Sequence, residues 1–423
     1  MKAHKAVLAV VAAAAMMLAG CSSGSSSSTS SSGSGKEIEA YFFMTTGSPV
    51  YETMKELAAE YQDQTGTKVN ISIDTSNYES NLKVRMASGN LPDVFATHGW
   101  SVMRYSQFLE PLTDQSWAQY VNTALDSSMR DSNGDLYALP IEYTITGINA
   151  NFDVLEKAGI DPDSINTWDD FNKALAAVKA QGITPIVVGG KDQSPAGNLA
   201  NFIAAGAFTD SEISTIEDGT FDPSVWQKNV LDMVNDWAEA GYFNPDYSSA
   251  STDDMALQIA QGEAAFSFAQ PTLLTTALTY NEDANIGFIP IPSAIGDRYL
   301  VGGEGVNSYG VAKNSDVKEE ALDFLNFLAQ PENAKKLAEA NGTYSGLTNV
   351  DVDLGKIQSS FDKWVKPGEL ETKPFFDRAY LPNGMWSTII STTDSVITQQ
   401  ATPADAAEQM KTEFDTLYGQ QDN

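Results

Sequence analysis

Between Ile38 and Phe95 the apolar residues switch back and forth between a two-residue and a 3.6-residue period, and that order restricts the fold more than any other feature. Ile38, Ala40 and Phe42 alternate as in a half-buried strand. Ser48-Pro49 then opens a helix, serine at the cap and proline in the first turn, where a missing N–H is harmless. Val50, Met54, Leu57, Ala58 and Tyr61 form its apolar face, and Gly66 ends it. Val69, Ile71 and Ile73 alternate in a second strand, a helix runs from about Glu79 to Ser88, and Gly89 stops it. Leu91-Pro92-Asp93-Val94-Phe95 opens a third strand. Strands separated by helices pair in parallel, so the sequence predicts an α/β fold.

The pattern restarts beyond residue 145. Thr167 and Asp170 have the spacing of a capping box ahead of a helix carrying Phe171, Leu175 and Val178. Gly182 breaks it, and Ile183 to Val188 is a dense apolar strand. Trp226, Val230, Met233, Val234 and Trp237 mark a further helix, its two tryptophans serving most simply as core. Ala264 to Ala269, Ile286 to Ile289 and Val306 to Val311 read as short strands, and the last hundred residues as mainly helical around a loop at Pro374 to Asn383.

The amino-terminal stretch has a different composition. Lys2, His4 and Lys5 precede an apolar run, Val7 to Ala19, that is short for a membrane span and fits a secretory leader. The run ends in Leu18-Ala19-Gly20-Cys21, which resembles the lipobox of bacterial lipoproteins; that resemblance implies cleavage before Cys21, the only cysteine in the chain, and lipid on it. Residues 22–35 are all Ser and Gly apart from Thr29, a tether with a reach of roughly 20 Å. The expected organisation is a leader over 1–20, a lipidated cysteine and tether over 21–35, and a folded body from residue 36.

Acidic residues outnumber basic ones 56 to 25, a formal charge of −31. Such a surface repels nucleic acid and anionic solutes and suits a neutral one. With Cys21 lipidated the body has no disulfide and no soft metal ligand, and no cofactor is expected.

Five segments of the body resemble the extracellular solute-binding proteins of bacterial ABC importers, in the class of maltose and oligosaccharide binders. They are Tyr51-Glu52-Thr53-Met54-Lys55-Glu56-Leu57 with Tyr61; Gly89-Asn90-Leu91-Pro92-Asp93-Val94; Gly134-Asp135-Leu136-Tyr137-Ala138-Leu139-Pro140; Gly302-Gly303 through Val311 with Lys313-Asn314-Ser315; and Pro382-Asn383-Gly384-Met385-Trp386. The resemblance covers roughly residues 36 to 418. It implies a periplasmic-binding-protein-like fold, two α/β lobes with a ligand cleft between them, built from 36–144 plus 299–332 and from 145–298 plus 333–423. The implied role is to bind a neutral oligosaccharide, di- to tetrasaccharide, outside the cell and to deliver it to membrane permease subunits, as a monomer on the outer face of a Gram-positive membrane. This chain departs from the family in having no tryptophan in the segment 193–198.

A neutral sugar needs aromatic faces for its C–H patches and planar polar groups for its hydroxyl rim. Trp386, following Asn383-Gly384 in a loop, is the expected platform, with core packing at the head of a helix as the alternative. Phe268 and Trp100 match in position as further platforms, although Phe268 continues an apolar strand and reads equally as core. His98, the one histidine outside the leader, lies just beyond a strand's carboxyl end, where open α/β sheets bind ligands. The family match places Glu142 and Tyr143 at the cleft. Asn77, Thr46 and Gly47 lie past the first two strands, Gly303 and Glu304 in the glycine-rich loop, and Lys191 and Gln193 past the strand ending at Val188. One histidine makes a zinc site unexpected, and Asp131 to Asp135 lacks the final glutamate of a calcium loop and reads as a turn. Rival functions stay open: a secreted glycoside hydrolase, needing two carboxylates across the scissile bond; an adhesive surface lipoprotein; or the same fold holding a peptide, polyamine or ion.

Overall fold

The computed structural model describes residues 36–421 apart from 76, 98–104, 132 and 305–306, with the side chains of 124, 127, 304 and 421 also outside the description. The strands run in chain order as β1 (Glu37–Phe43), β2 (Lys68–Asp74), β3 (Val94–Ala96), β4 (Leu139–Pro140), β5 (Tyr143–Thr146), β6 (Ile148–Asn151), β7 (Thr184–Ile186), β8 (Ala264–Ser267), β9 (Ile286–Ile289), β10 (Tyr299–Glu304), β11 (Ser308–Val311) and β12 (Glu371–Pro374). They form three sheets, ordered β2-β1-β3-β11-β4, β12-β10-β5 and β7-β8-β6-β9. β1 is parallel to β2 and β3, as the crossover helices require, while β11 is antiparallel to β3 and β4. β7 is parallel to β8, and β6 antiparallel to β8 and β9.

The first lobe is organised on the five-stranded sheet. Ile38, Ala40 and Phe42 are fully buried on one side of β1, against Val50, Met54, Leu57 and Tyr61 of the helix Pro49–Thr65. That helix ends at Gly66 with φ 78°, a left-handed cap open to glycine at no cost. Ser48 stands at its N-cap, but its hydroxyl bonds back to the Thr45 carbonyl (2.8 Å) and not to the helix. The second lobe is organised on the four-stranded sheet. Here the capping box is complete: Asp170 N donates to Thr167 Oγ1 (3.2 Å), and the Asp170 carboxylate accepts from Thr167 N (3.3 Å). A third cluster, including Ile145, Met255, Phe288 and Phe361, packs around the opposite face of this sheet.

The two lobes are joined by three crossing segments; the first falls at β5, near the expected 144, and the other two differ from expectation. Tyr299 and Val301 of β10 belong to the second core, and the first core resumes only at Tyr309. The helix Pro331–Asn341 packs on Pro49–Thr65 and places Ala334 and Leu337 in the first core, which continues to Leu347. Leu354 already belongs to the third cluster. The expected crossings near 298 and 332 are therefore both too early. A crossing follows the change of core, and helix periodicity alone does not say which core a face meets.

Phe268 also differs from its expected role as a platform. It is 1 % exposed and lies among Phe171, Phe202 and Trp237, with ring centroids 6.0, 6.3 and 5.9 Å away. Trp226 and Trp237 are core, as their spacing suggests, although a π-turn over Gln227–Leu231 interrupts their helix. Truncating Phe268 to Ala leaves a cavity between three rings. We expect Phe268→Ala to cost about 3–5 kcal/mol in denaturant unfolding; an unchanged midpoint would show the ring to be dispensable to this core.

Candidate functional site

A cavity of about 570 Å³ lies between the two lobes. Its position follows from the strands. Phe43 ends β1, Thr75 follows β2, Gly190, Asp192 and Gln193 follow β7 and Gln270 follows β8, and all of them line it. The cavity therefore sits off the carboxyl ends of parallel strands in both lobes, where loops are free to vary while the sheet holds their roots.

The first-lobe wall comprises Phe43, Thr75 and the first turns of the helix Tyr78–Ser88, with Tyr78, Glu79, Ser80 and Lys83. Tyr78 is rigid: its hydroxyl bonds to the carbonyls of Ala96 (2.7 Å) and Tyr41 (3.1 Å), and its ring stacks on Tyr41 with centroids 4.5 Å apart. The Glu79 carboxylate accepts from the Tyr105 hydroxyl at 2.6 Å.

The second-lobe wall is built largely on the helix Met385–Ile397. Trp386, Ile390 and Asp394 stand four residues apart on one face, flanked by Ser387 and Ser391, and all five line the cavity. Trp386 is half-buried. Its ring edge rests on Gly197 of the helix Ser194–Ala204, where a β-carbon would lie 2.8 Å from both Trp386 Cη2 and Ile390 Cγ1. That close approach of two helices fixes the indole from behind and leaves its other side to the cavity.

Two carboxylates flank the indole, each with one oxygen already bonded. Asp394 Oδ1 accepts from the Tyr247 hydroxyl at 2.7 Å, and burial, then that bond, push the Tyr247 phenol up. Asp377 Oδ1 accepts from the Asn201 amide at 2.6 Å, and Asn201 Oδ1 accepts in return from Asp377 N at 3.1 Å. Burial raises the Asp377 carboxyl above its ordinary range, against the Arg378 charge and the Asn201 bond, which lower it. The Arg378 guanidinium lies 4.1 Å from the Phe375 ring centroid. Among the described residues, acidic side chains on the lining number four, Glu79, Asp192, Asp377 and Asp394, against two cations, Lys83 and Arg378. The arrangement offers an apolar plate, oriented acceptors and several carboxamides, which suits a small neutral polyhydroxylated molecule.

Of the residues singled out from sequence, the cavity brings together Trp386, Asn383 and Gln193. Others lie off its lining. Glu142 is buried at 4 % exposure, and its Oε1 accepts from Asn307 N (2.9 Å) and Nδ2 (3.2 Å) at a crossing. Tyr143 pairs through its backbone with Tyr344 and Thr343 in the same region. Gly303 pairs with Thr144, and the backbone of Glu304 with Tyr143. Thr46, Gly47 and Asn77 are exposed beside the first-lobe wall without forming it, and Lys191 is exposed with its N–H on the Ala250 carbonyl. His98, Trp100 and Cys21 lie outside the described residues. Sequence reasoning missed Tyr78, Asp377, Arg378, Asn201, Gln270 and Asp394. The i, i+4, i+8 spacing from Trp386 could have found Asp394; Asn201 and Asp377 are 176 positions apart and left no local signal. The Asp131 loop is a turn, with Asp131 Oδ1 accepting from Asn133 N and Asp135 N, both at 2.9 Å.

Two α/β lobes around a cleft, with binding groups on both walls, define a protein built to enclose a small solute. The chain belongs to the bacterial extracellular solute-binding protein family, whose model matches residues 46–335. It is 31% identical over 399 residues to the melibiose/raffinose/stachyose-binding protein MelE of Bacillus subtilis, covering 91% of each chain. Among solved structures it resembles a sugar transporter protein of Bacillus licheniformis in complex with stachyose, with a TM-score of 0.83, 29% identity and coverage of 90% of this chain and 100% of that one. It also resembles the binding protein MsmE of Bacillus subtilis in an open conformation, with a TM-score of 0.77, 30% identity and coverage of 92% and 99%.

The raised Asp377 carboxyl has a consequence with a definite sign. A carboxyl that holds its proton more tightly when folded opposes folding once it is ionised, and this cost vanishes as pH falls below its unfolded value. Asp377→Asn removes the titration. The stability of the variant relative to the native chain should thus be greatest near neutral pH and decline as pH is lowered through the carboxylate range. Denaturation midpoints of both chains from pH 7 to pH 3.5 measure it, and a gap that widens on acidification would reverse the assignment.

Proposed function

We propose that this protein captures a neutral oligosaccharide of two to four sugar units in the cleft and delivers it to the permease of an ABC importer, without chemistry of its own. One observation carries the reading: a half-buried indole, fixed from behind by Gly197, lies in a cavity whose rim is made of half-bonded carboxylates and carboxamides. A pyranose has a C–H patch for the indole and hydroxyls around its edge for the rim, so both halves of the site are used at once. The excess of acids on the lining disfavours phosphorylated or otherwise anionic solutes. The ligands named for the relatives, melibiose, raffinose and stachyose, support the size range. Asn383 and Gln193 belong to the proposed contact set with Trp386; Asp377 and Asp394 join it on geometry.

The same proposal places the mature chain on the outer face of a Gram-positive cell membrane, as a monomer held through lipid on Cys21 and the Ser/Gly tether. Intact-mass analysis of protein from membranes should give a chain starting at Cys21 with added diacylglycerol, and Cys21→Ala should abolish it. A mature chain without lipid would refute the anchor and leave the ligand reading standing.

The ligand is tested by calorimetry with melibiose, raffinose and stachyose on the native protein and on Trp386→Ala. Truncating an anchoring aromatic costs about 2 kcal/mol or more, roughly thirtyfold in affinity. We expect that loss with little change in melting temperature without ligand. Normal binding by the variant would remove Trp386 from the site, and a fall in stability alone would make the ring a packing residue.

A further inference from the structure

Gln193 has φ 63° and ψ −53°, and with Gln399 it is one of two non-glycine residues of positive φ among the described residues. Gln399 is unremarkable in place: it is exposed just past the end of the helix Met385–Ile397, where helices commonly turn left-handed. Gln193 is neither at a helix end of that kind nor remote from the cavity. It is exposed, it lines the cleft, and it precedes the helix Ser194–Ala204. A β-carbon crowds the backbone in this region, at a cost of order 1–3 kcal/mol that persists only where the surroundings fix the conformation.

The surroundings do so from both sides. Upstream, Gly190 N donates to Tyr247 O (2.9 Å), Lys191 N to Ala250 O (3.1 Å), and the Asp192 carboxylate accepts from Thr252 N (2.6 Å). No side chain fits at Gly189 or Gly190, where a β-carbon would lie 2.8 Å from the Ser251 carbonyl and 2.7 Å from the Tyr247 ring. Downstream, Ala196 N donates to Gln193 O (3.1 Å), and Gly197 is wedged against Trp386. One residue must turn the chain between a pinned loop and a pinned helix. Glycine would do so without strain, yet the position holds a glutamine.

We propose that Gln193 is a specificity residue whose carboxamide bonds the hydroxyl rim of a sugar stacked on Trp386, the backbone strain being tolerated for that contact. The proposal rests on the oligosaccharide reading above. Its geometry is local. Gln193 stands four residues before Gly197, about one helical turn or roughly 5–6 Å from the point where the helix meets the indole. Its chemistry is complementary. The carboxylates of Asp192, Asp377 and Asp394 only accept, whereas the Gln193 carboxamide, like those of Asn198, Gln270 and Asn383 on the same lining, presents a donor and an acceptor in one plane; Gln193 is set apart from these by its strained backbone.

The test uses the mature chain with Gln193→Gly, which removes the amide and relieves the backbone, and Gln193→Ala, which removes the amide and keeps the strain. Both variants should bind the preferred sugar among melibiose, raffinose and stachyose about tenfold more weakly. Only Gln193→Gly should melt higher than the native chain in the absence of ligand, because relief of a positive-φ side chain outweighs the added freedom of the unfolded glycine. A residue that merely completes the loop predicts affinity kept in both variants, whatever their melting temperatures. If the native chain binds while Gln193→Gly binds equally well, or if Gln193→Gly melts no higher than Gln193→Ala, this proposal falls alone. If the native chain binds none of the sugars, the oligosaccharide reading falls and takes this proposal with it.

Discussion

A carboxylate taken out of water costs several kcal/mol unless its lone pairs are bonded, and Glu142 is taken out of water where two crossing segments meet. Its Oε1 accepts from both the backbone and the side chain of Asn307, and Asn307 Oδ1 accepts from the Tyr309 hydroxyl at 3.0 Å. These bonds tie the segment between β4 and β5 to the segment between β10 and β11. The third segment joins them through Tyr143 N on the Tyr344 carbonyl (2.8 Å) and Thr343 Oγ1 on the Tyr143 carbonyl (2.7 Å). Each lobe's sheet ends at this junction, so the placement of one cavity wall opposite the other depends on it. Removing one partner from such a network takes away part of what offsets a buried charge, which costs more than the bond itself.

From that junction outward the two walls are made rigid in different ways. On the first lobe, β1 and β3 hold Tyr78 by hydrogen bonds from its hydroxyl to Tyr41 and Ala96, so the first turn of its helix enters the cleft from a fixed root. On the second lobe the fixing is steric. Gly197 lets two helices approach until the indole and Ile390 crowd the space a β-carbon would need, and packing of that density leaves the ring little freedom. The polar groups are set by a third means. Asn201 and Tyr247 each occupy one carboxylate oxygen of Asp377 and Asp394, which orients the remaining oxygen without a ligand present. A site whose groups are oriented in advance loses less entropy on binding.

How much of this was legible follows from the range over which each feature is encoded. The capping box at Thr167 and Asp170, the left-handed Gly66 and the buried face of Pro49–Thr65 are set by neighbours within one or two turns, and their sequence signals correspond to what is observed. Trp386 stands out in the sequence as an aromatic after Asn-Gly in a loop; it lines the cavity, but from the first turn of the helix Met385–Ile397 and not from a loop. Phe268 misled because an apolar residue past a strand satisfies both readings, and only its three ring neighbours, distant in sequence, decide for the core. Glu142 shows the opposite case: a carboxylate at a crossing suggests ligand contact, but it lies off the cavity lining, and Asn307, 165 positions away, takes its Oε1. The Asp377–Asn201 pair is likewise defined only by tertiary contact.

The acidity of the chain and the acidity of the cleft act on different scales. The formal charge of −31 is felt over about 8–10 Å at ordinary ionic strength, and it lowers the local concentration of anions while leaving neutral solutes unaffected. Inside the cleft the acids act one by one. Asp377 and Asp394 each accept one bond from the protein, at Asn201 and Tyr247, and an ionised oxygen that loses water to a ligand must receive a hydrogen bond in exchange. Sugar hydroxyls can supply that bond without bringing a countercharge. A cation could supply it too, but Lys83 and Arg378 already stand on the lining and oppose a second positive group. A phosphate or carboxylate ligand would meet the remaining acids unpaired. The polarity of the site therefore favours uncharged donors on physical grounds that are independent of any likeness to other proteins.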